Sequence, residues 1–201
     1  MSAIKICGLT RIEDIQSVNQ YKPDYIGFVF AKSKRQISIQ KAEQLKKQLS
    51  TDIKAVGVFV NETQQNIVSI VQKGMIDIVQ LHGQETEQDI QSLQKEISIP
   101  IIKAISVKTA QDILSWQYTK ADYLLFDNST GGSGKTFDWA VIPNIQKPYF
   151  IAGGLTIENI PFVLKKHPFA LDVSSGAETN GFKDSKKIAD IIKMVKTNKY
   201  K

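Results

Sequence analysis

The chain has 201 residues, 42% of them apolar and 23% charged, with a formal net charge of +6. That composition and length suit one globular domain, residues 1–201, which buries a core without a structural metal. A lone cysteine, Cys7, excludes a disulfide framework, and no apolar run approaches the roughly 20 residues that span a bilayer.

The first residues, Met-Ser-Ala-Ile-Lys-Ile-Cys, show no basic-then-apolar leader pattern. With the single thiol, this points to a reducing cytoplasm. The positive charge does not point to nucleic acid or to a membrane surface. Its main cluster (Lys186, Lys187, Lys193, Lys196, Lys199, Lys201) interleaves with Ile188, Ile191, Ile192 and Val195 at helical spacing, the pattern of a solvated helix face. No aromatic-basic motif accompanies it. A positive field still steers an anionic small molecule. The absence of an obvious apolar surface patch favours a monomer.

In chain order, short β-rich apolar runs occupy 4–7, 25–30, 55–60, 76–81, 101–105, 123–127, 149–152 and 170–173. Their starts lie about 20 to 30 residues apart, the length of a βα unit. Segments of helical period lie between most of them, at 63–73, 86–97, 109–118, 156–166 and 185–199, several opened by a capping Thr or Ser. Strand alternating with helix predicts a parallel sheet with helices outside, and eight such units predict a (β/α)8 barrel. The rival, an open doubly wound sheet, usually carries a Gly-rich turn after its first strand. Here that turn, Cys7-Gly8-Leu9-Thr10-Arg11, has one glycine.

A barrel concentrates its chemistry at the C-terminal ends of its strands. Cys7 closes the first strand, and alternation places Lys5 on the same face, where an ammonium would favour the thiolate. The competing reading is an inert buried thiol. Asp127 closes the sixth strand, either as a general acid at a partly dry mouth or as a turn cap. His82 follows the fourth strand as a base or a donor to an anion, against a surface turn histidine. Arg35, in Lys32-Ser33-Lys34-Arg35, suits a bidentate grip on a carboxylate, against a solvated basic loop. No ligand spacing suggests a metal, and none is expected.

Glycine clusters follow three successive strands: Gly131-Gly132-Ser133-Gly134, then Gly153-Gly154, then Ser174-Ser175-Gly176. Glycine lets backbone N–H groups approach an oxyanion, and barrel enzymes often bind phosphate in the last loops. Gly132, Gly134, Gly153, Gly154, Ser174, Ser175 and Gly176 are therefore candidate phosphate-binding positions. Gly134-Lys135-Thr136 is not a nucleotide P-loop, because Ser129 stands where the first glycine is required and Pro143 follows too soon.

Six ordered motifs resemble one family along the whole chain. They are Lys5-Ile6-Cys7-Gly8-Leu9-Thr10, Gln80-Leu81-His82-Gly83, Phe126-Asp127, Gly132-Ser133-Gly134 with Phe137-Asp138-Trp139, Ala152-Gly153-Gly154-Leu155, and Asp172-Val173-Ser174-Ser175-Gly176 with Glu178. The pattern is similar to phosphoribosylanthranilate isomerase of tryptophan biosynthesis, a (β/α)8 barrel that needs no metal or cofactor. The resemblance implies an Amadori rearrangement of N-(5-phosphoribosyl)anthranilate to 1-(2-carboxyphenylamino)-1-deoxyribulose 5-phosphate. It implies Asp127 as the acid that protonates the ribose ring oxygen and Cys7 as the base at the sugar C2. Arg35 and His82 match positions on the anthranilate side, and the glycine and serine loops match the phosphate cradle. One departure stands out: Lys34 occupies the place of an expected proline before Arg35, which leaves that loop less restrained. Two alternatives stay open at this stage. One is the aminoaldose-phosphate isomerase of histidine biosynthesis, a family that runs the same chemistry on a similar barrel but uses an aspartate where Cys7 stands. The other is a non-catalytic barrel that binds a phosphorylated ligand.

Overall fold

The structure is a computed structural model and describes residues 2–128 and 136–197. Eight parallel strands close into a barrel in sequence order. They are β1 (Ala3–Cys7), β2 (Tyr25–Val29), β3 (Lys54–Phe59), β4 (Ile78–Leu81), β5 (Ile101–Ser106), β6 (Tyr123–Asp127), β7 (Tyr149–Ile151) and β8 (Ala170–Val173). β8 pairs back onto β1, with Lys5 opposite Asp172. The expected (β/α)8 architecture is present, and each strand lies within about two residues of its expected place.

Around the barrel run α1 (Ile12–Tyr21), α2 (Ile39–Lys46), α3 (Gln64–Gln72), α4 (Glu87–Glu96), α5 (Ala110–Leu114), α6 (Ile160–Leu164) and α7 (Ser185–Thr197). Thr63 and Thr86 cap α3 and α4 by accepting the amides of Asn66 and Asp89. Two helices differ from expectation. α5 stops at Leu114, where the chain passes into i→i+3 turns, with Trp116 N–H on the Ile113 carbonyl and Gln117 N–H on that of Leu114. α6 starts late, because the Asn159 side chain ties the Thr156 amide into a turn first and Pro161 then opens the helix. Between β6 and β7 the described chain has one 3-10 turn, Trp139–Val141. After β8 come a 3-10 turn, Ser175–Ala177, and a small antiparallel pair, β9 (Glu178–Thr179) and β10 (Phe182–Lys183), which periodicity did not announce.

The period-two alternation of the strands divides the core. One set, including Ile4, Ile6, Phe28, Leu124 and Leu171, faces the helices. The other set fills the barrel itself with Val56, Ile78, Ile102, Leu125, Phe150 and Ala170, packed by Ala3, Tyr25 and Tyr123. Above that apolar filling, toward the C-terminal ends of the strands, the interior turns polar with Lys5, Gln80 and Asp172, all buried.

Candidate active site

The last inward positions of β1 and β6 are Cys7 and Asp127, both nearly enclosed. Cys7 has room because its register partner on β2 is Gly27, where a Cβ would stand 2.5 Å from the thiol sulfur. Its carbonyl accepts the Ser174 hydroxyl at 3.1 Å. Gly8 then turns the chain at φ +84°, and the Arg35 stem lies directly over it.

The expected pull of Lys5 on the thiol is present but is outweighed. Burial pushes the Cys7 thiol up, and although Lys5 pulls it down, with Lys183 and Arg35 helping, Asp172 pushes up as well and the net direction is upward. The ammonium at Lys5 is therefore a counterweight to burial rather than the source of a standing thiolate. Lys5 itself stays charged: burial works against the ammonium, but Asp172 and Cys7 outweigh it. Its Nζ donates to Asp172 Oδ2 at 2.9 Å and also to Gln80 Oε1.

Among the described residues Asp127 has one partner on each oxygen. Oδ1 accepts the Asn128 amide at 2.7 Å, and Oδ2 stands 3.2 Å from His82 Nε2. The other ring nitrogen of His82, Nδ1, lies 2.7 Å from Gln80 Nε2. The structure thus brings His82 onto Asp127 itself. His167, the other histidine, follows α6 at the opposite end of the barrel from this mouth.

Arg35 meets a carboxylate of the chain. Its Nε and Nη2 donate to Glu178 Oε1 and Oε2 at 2.6 and 2.9 Å, a bidentate pair. Lys183 Nζ also reaches Glu178 Oε1 at 2.8 Å and the Ser174 carbonyl at 2.9 Å. Although burial works against its charge, the donors from Arg35 and Lys183 hold the Glu178 carboxyl at about 2. Lys34 extends toward the same carboxylate, 4.0 Å away and largely exposed. So the loop that lacks the expected proline is pinned instead by Glu178, which follows β8 on the other flank of β1.

Gly153 and Gly154 follow β7, both at positive φ, and among the described residues neither donates its amide to the protein. The Gly176 backbone packs on the Leu155 carbonyl with no room for a side chain, so the loops after β7 and β8 touch. Ser175 opens the 3-10 turn beside them, while the Ser174 hydroxyl is taken by Cys7. Gly132 and Gly134 lie outside the described residues. Among the described residues no cluster of three His, Cys, Asp or Glu could hold a metal ion.

Sequence reasoning weighed neither Gln80, Asp172, Lys183 nor Glu178 for its chemistry. The signal for two of them was available. The alternation that paired Lys5 with Cys7 also turns Gln80 inward below His82 and Asp172 inward below Ser174, polar residues in strands that are otherwise apolar.

The family profile of N-(5'-phosphoribosyl)anthranilate (PRA) isomerase matches residues 4–194. A relative of that name from Endomicrobium trichonymphae is 46% identical over 202 residues, covering 98% of this chain and all of the relative. The one from Streptococcus mutans is 45% identical over 199 residues, with the same coverage. Among solved structures, phosphoribosyl anthranilate isomerase from Thermotoga maritima superimposes with a TM-score of 0.89 at 35% identity, covering 98% of this chain and 99% of that one. Another, solved in complex with reduced 1-(o-carboxyphenylamino)-1-deoxyribulose 5-phosphate, gives 0.85 at 33% identity and the same coverage. With a profile spanning nearly the whole chain and a shared closed barrel, the chain belongs to the N-(5'-phosphoribosyl)anthranilate isomerase family.

Proposed function

We propose that Asp127 and Cys7 are the acid and the base of the isomerisation for which the family is named. The chain is an isomerase of tryptophan biosynthesis that converts an aldose derivative, N-(5'-phosphoribosyl)anthranilate, to its ketose isomer. The observation that carries the assignment is a carboxyl and a thiol at the inward ends of two strands across one mouth, β1 and β6, with β7 and β8 between them on one side.

The chemistry needs both. Asp127 gives its proton to the ribose ring oxygen, the C1–O bond breaks, and the nitrogen lone pair forms the Schiff base. Cys7, as thiolate, takes the proton from C2, and those electrons move to the nitrogen to give an enolamine, which tautomerises to the ketone. The sulfur makes no bond to carbon. A thiol whose burial pushes it up is a stronger base once ionised, at the cost of a smaller ionised fraction near neutrality. Arg35 receives the anthranilate carboxylate; its Nη1 makes no hydrogen bond among the described residues, and Glu178 holds the other edge of the fork. The amides of Gly153 and Gly154, which donate to no described residue, and the turn at Ser175 and Gly176 supply the phosphate cradle, to which Gly132 and Gly134 belong by sequence.

Among the described residues no helix is long and apolar enough to cross a membrane. A base that must remain a free thiol fits the reducing cytoplasm. The most exposed large apolar side chains, Tyr118, Phe162 and Phe182, lie in the turn after α5, in α6 and in β10, which supports a monomer. The test is turnover of N-(5'-phosphoribosyl)anthranilate, followed by fluorescence of the anthranilate group, with protein treated with EDTA. Full activity is expected. No turnover, with or without EDTA, sinks the substrate assignment, and loss on EDTA treatment alone sinks the metal-free mechanism.

A further inference from the structure

The mechanism above does not use Gln80, a fully buried amide one turn of the pleat below His82. It is the middle of an unbroken line of contacts. The line runs from Asp172 Oδ2 to Lys5 Nζ, to Gln80 Oε1, from Gln80 Nε2 to His82 Nδ1, and from His82 Nε2 to Asp127 Oδ2. It joins side chains of β8, β1 and β4 with the loop after β4 and the end of β6.

The donor inventory leaves one arrangement of protons along it. An ammonium only donates, so Gln80 must face Lys5 with its oxygen. The NH2 of the amide therefore faces His82, and since it too only donates, His82 Nδ1 must present a lone pair. A neutral imidazole with a bare Nδ1 carries its proton on Nε2, the atom 3.2 Å from Asp127 Oδ2. Protonating Nδ1 would set two donors 2.7 Å apart and leave the buried Gln80 amide without its acceptor. The amide orientation, ambiguous by shape alone, is settled here by the charge on Lys5.

We propose that Gln80 is a positioning residue that holds His82 neutral with its proton on Nε2, so that His82 donates to the carboxylate Asp127 becomes once its proton has left. The proposal rests on the reading of Asp127 as the acid. A neutral donor suits that position. It stabilises the developing carboxylate without placing a full positive charge beside an acid that must be reprotonated for the next turnover. Lys5 then serves both sides of the mouth: directly toward Cys7, and through Gln80 toward Asp127.

The chain has two histidines, His82 and His167, so the imidazole nitrogen spectrum of protein labelled with 15N histidine holds two residues, assigned with His167→Gln. In the unliganded protein His82 is expected to show an unprotonated Nδ1 and a protonated Nε2. Gln80→Glu keeps the shape but replaces the donor with an acceptor, so Nδ1 gains a proton. Gln80→Met removes the donor, so the single tautomer becomes a mixture. Both variants should lower kcat by at least about 10-fold, the scale of losing an orienting partner, with KM changed less than about 2-fold. A wild-type His82 protonated on Nδ1, or a Gln80→Glu variant that inverts the tautomer yet keeps kcat, overturns the proposal. A Gln80→Met variant that unfolds leaves the isosteric Gln80→Glu to decide. The spectrum is read without substrate, so it stands even where normal turnover by Asp127→Asn has removed Asp127 as the acid.

Discussion

The two ends of the barrel interior are built from the same eight strands and the same inward alternation, yet they hold opposite chemistry. At the N-terminal end the filling is aromatic. The Tyr25 and Tyr123 rings each stand 5.7 Å from Phe150, edge to face, and Tyr123 lies 4.9 Å from Phe169. Such pairs add packing energy and close the barrel. At the C-terminal end, Lys5, Gln80 and Asp172 form a buried polar tier with Cys7, His82 and Asp127 above it. Buried charge is costly, and the Lys5–Asp172 pair at 2.9 Å offsets that cost only because its geometry is close and further hydrogen bonds join it. Asp172 Oδ1 nonetheless has no partner among the described residues. A fold that needed only stability would repeat the aromatic end at both mouths. The contrast separates residues that hold the barrel together from residues that the barrel is there to hold.

That separation breaks first if the catalytic pair is dispensable. Asp127→Asn and Cys7→Ala are each expected to lower kcat by at least about 100-fold, the low end for an acid or base, with cooperative thermal unfolding retained. Both side chains sit at the mouth, where near-isosteric or smaller replacements leave the aromatic end untouched. Near-normal turnover by either purified variant would remove it from the mechanism.

A sharper comparison removes one residue from each end. Phe150→Ala deletes a fully buried ring and should cost about 3–5 kcal/mol of stability. Lys5→Met strands the Asp172 carboxylate and should cost a similar amount, about 3–5 kcal/mol. Denaturant titration should therefore not tell the two apart, but the pH profile of kcat/KM should. The base form of Cys7 is the thiolate, so activity rises with pH through its ionisation. Lys5 pulls that ionisation down, so Lys5→Met should move the rise to higher pH. In Phe150→Ala the rise should stay where it is. A profile that moves equally in both, or in neither, makes Lys5 a structural charge only.

The contrast between the two ends was partly legible in the sequence. Strand positions follow from apolar runs and their spacing, because each strand is buried on both faces and its composition is constrained along its whole length. Cys7 and Asp127 were visible because a polar residue ending an apolar strand has one natural place, the mouth. α1 and α2 fell outside the helical segments picked out by periodicity. α1 buries Ile15 and Val18 together with Asp14, whose carboxylate ties the Thr10 and Arg11 amides, so a polar residue interrupts its apolar stripe. Contacts across the barrel were out of reach for a different reason. Gln80 and His82 are two residues apart in sequence, but Lys5 and Gln80 are 75 apart and Arg35 and Glu178 are 143 apart. Alternation gives the face a side chain points to, whereas its partner on that face depends on barrel closure and strand register.

Arg35 belongs to the held set rather than the holding set, and its replacement should show that in the kinetics. Arg35→Ala removes a charged donor expected to meet the substrate carboxylate, worth about 1.5–3 kcal/mol. KM should rise roughly 10-fold or more while kcat changes less, because the group binds ground state and transition state alike. Steady-state kinetics over a wide substrate range checks this. An unchanged KM would leave Arg35 as the structural partner of Glu178 and nothing more.

The smallest expected effect concerns that partner. The Glu178 carboxyl, ordinarily near 4.5, is held down to about 2 by Arg35 and Lys183 against its own burial. A carboxyl held low in the folded chain stabilises the fold fully above its unfolded value, and the contribution disappears as pH falls through the folded value. The wild type should therefore melt above Glu178→Gln by about 2–4 °C at neutral pH, the size of ~1 kcal/mol left when the desolvation of a largely buried pair offsets most of its attraction. The gap should close as the pH falls from about 4.5 toward 2. Because Glu178 joins the segment after β8 to the loop after β2 over the end of β1, a gap that persists at low pH would mean that this bridge is held by packing, as at the aromatic end, and not by charge.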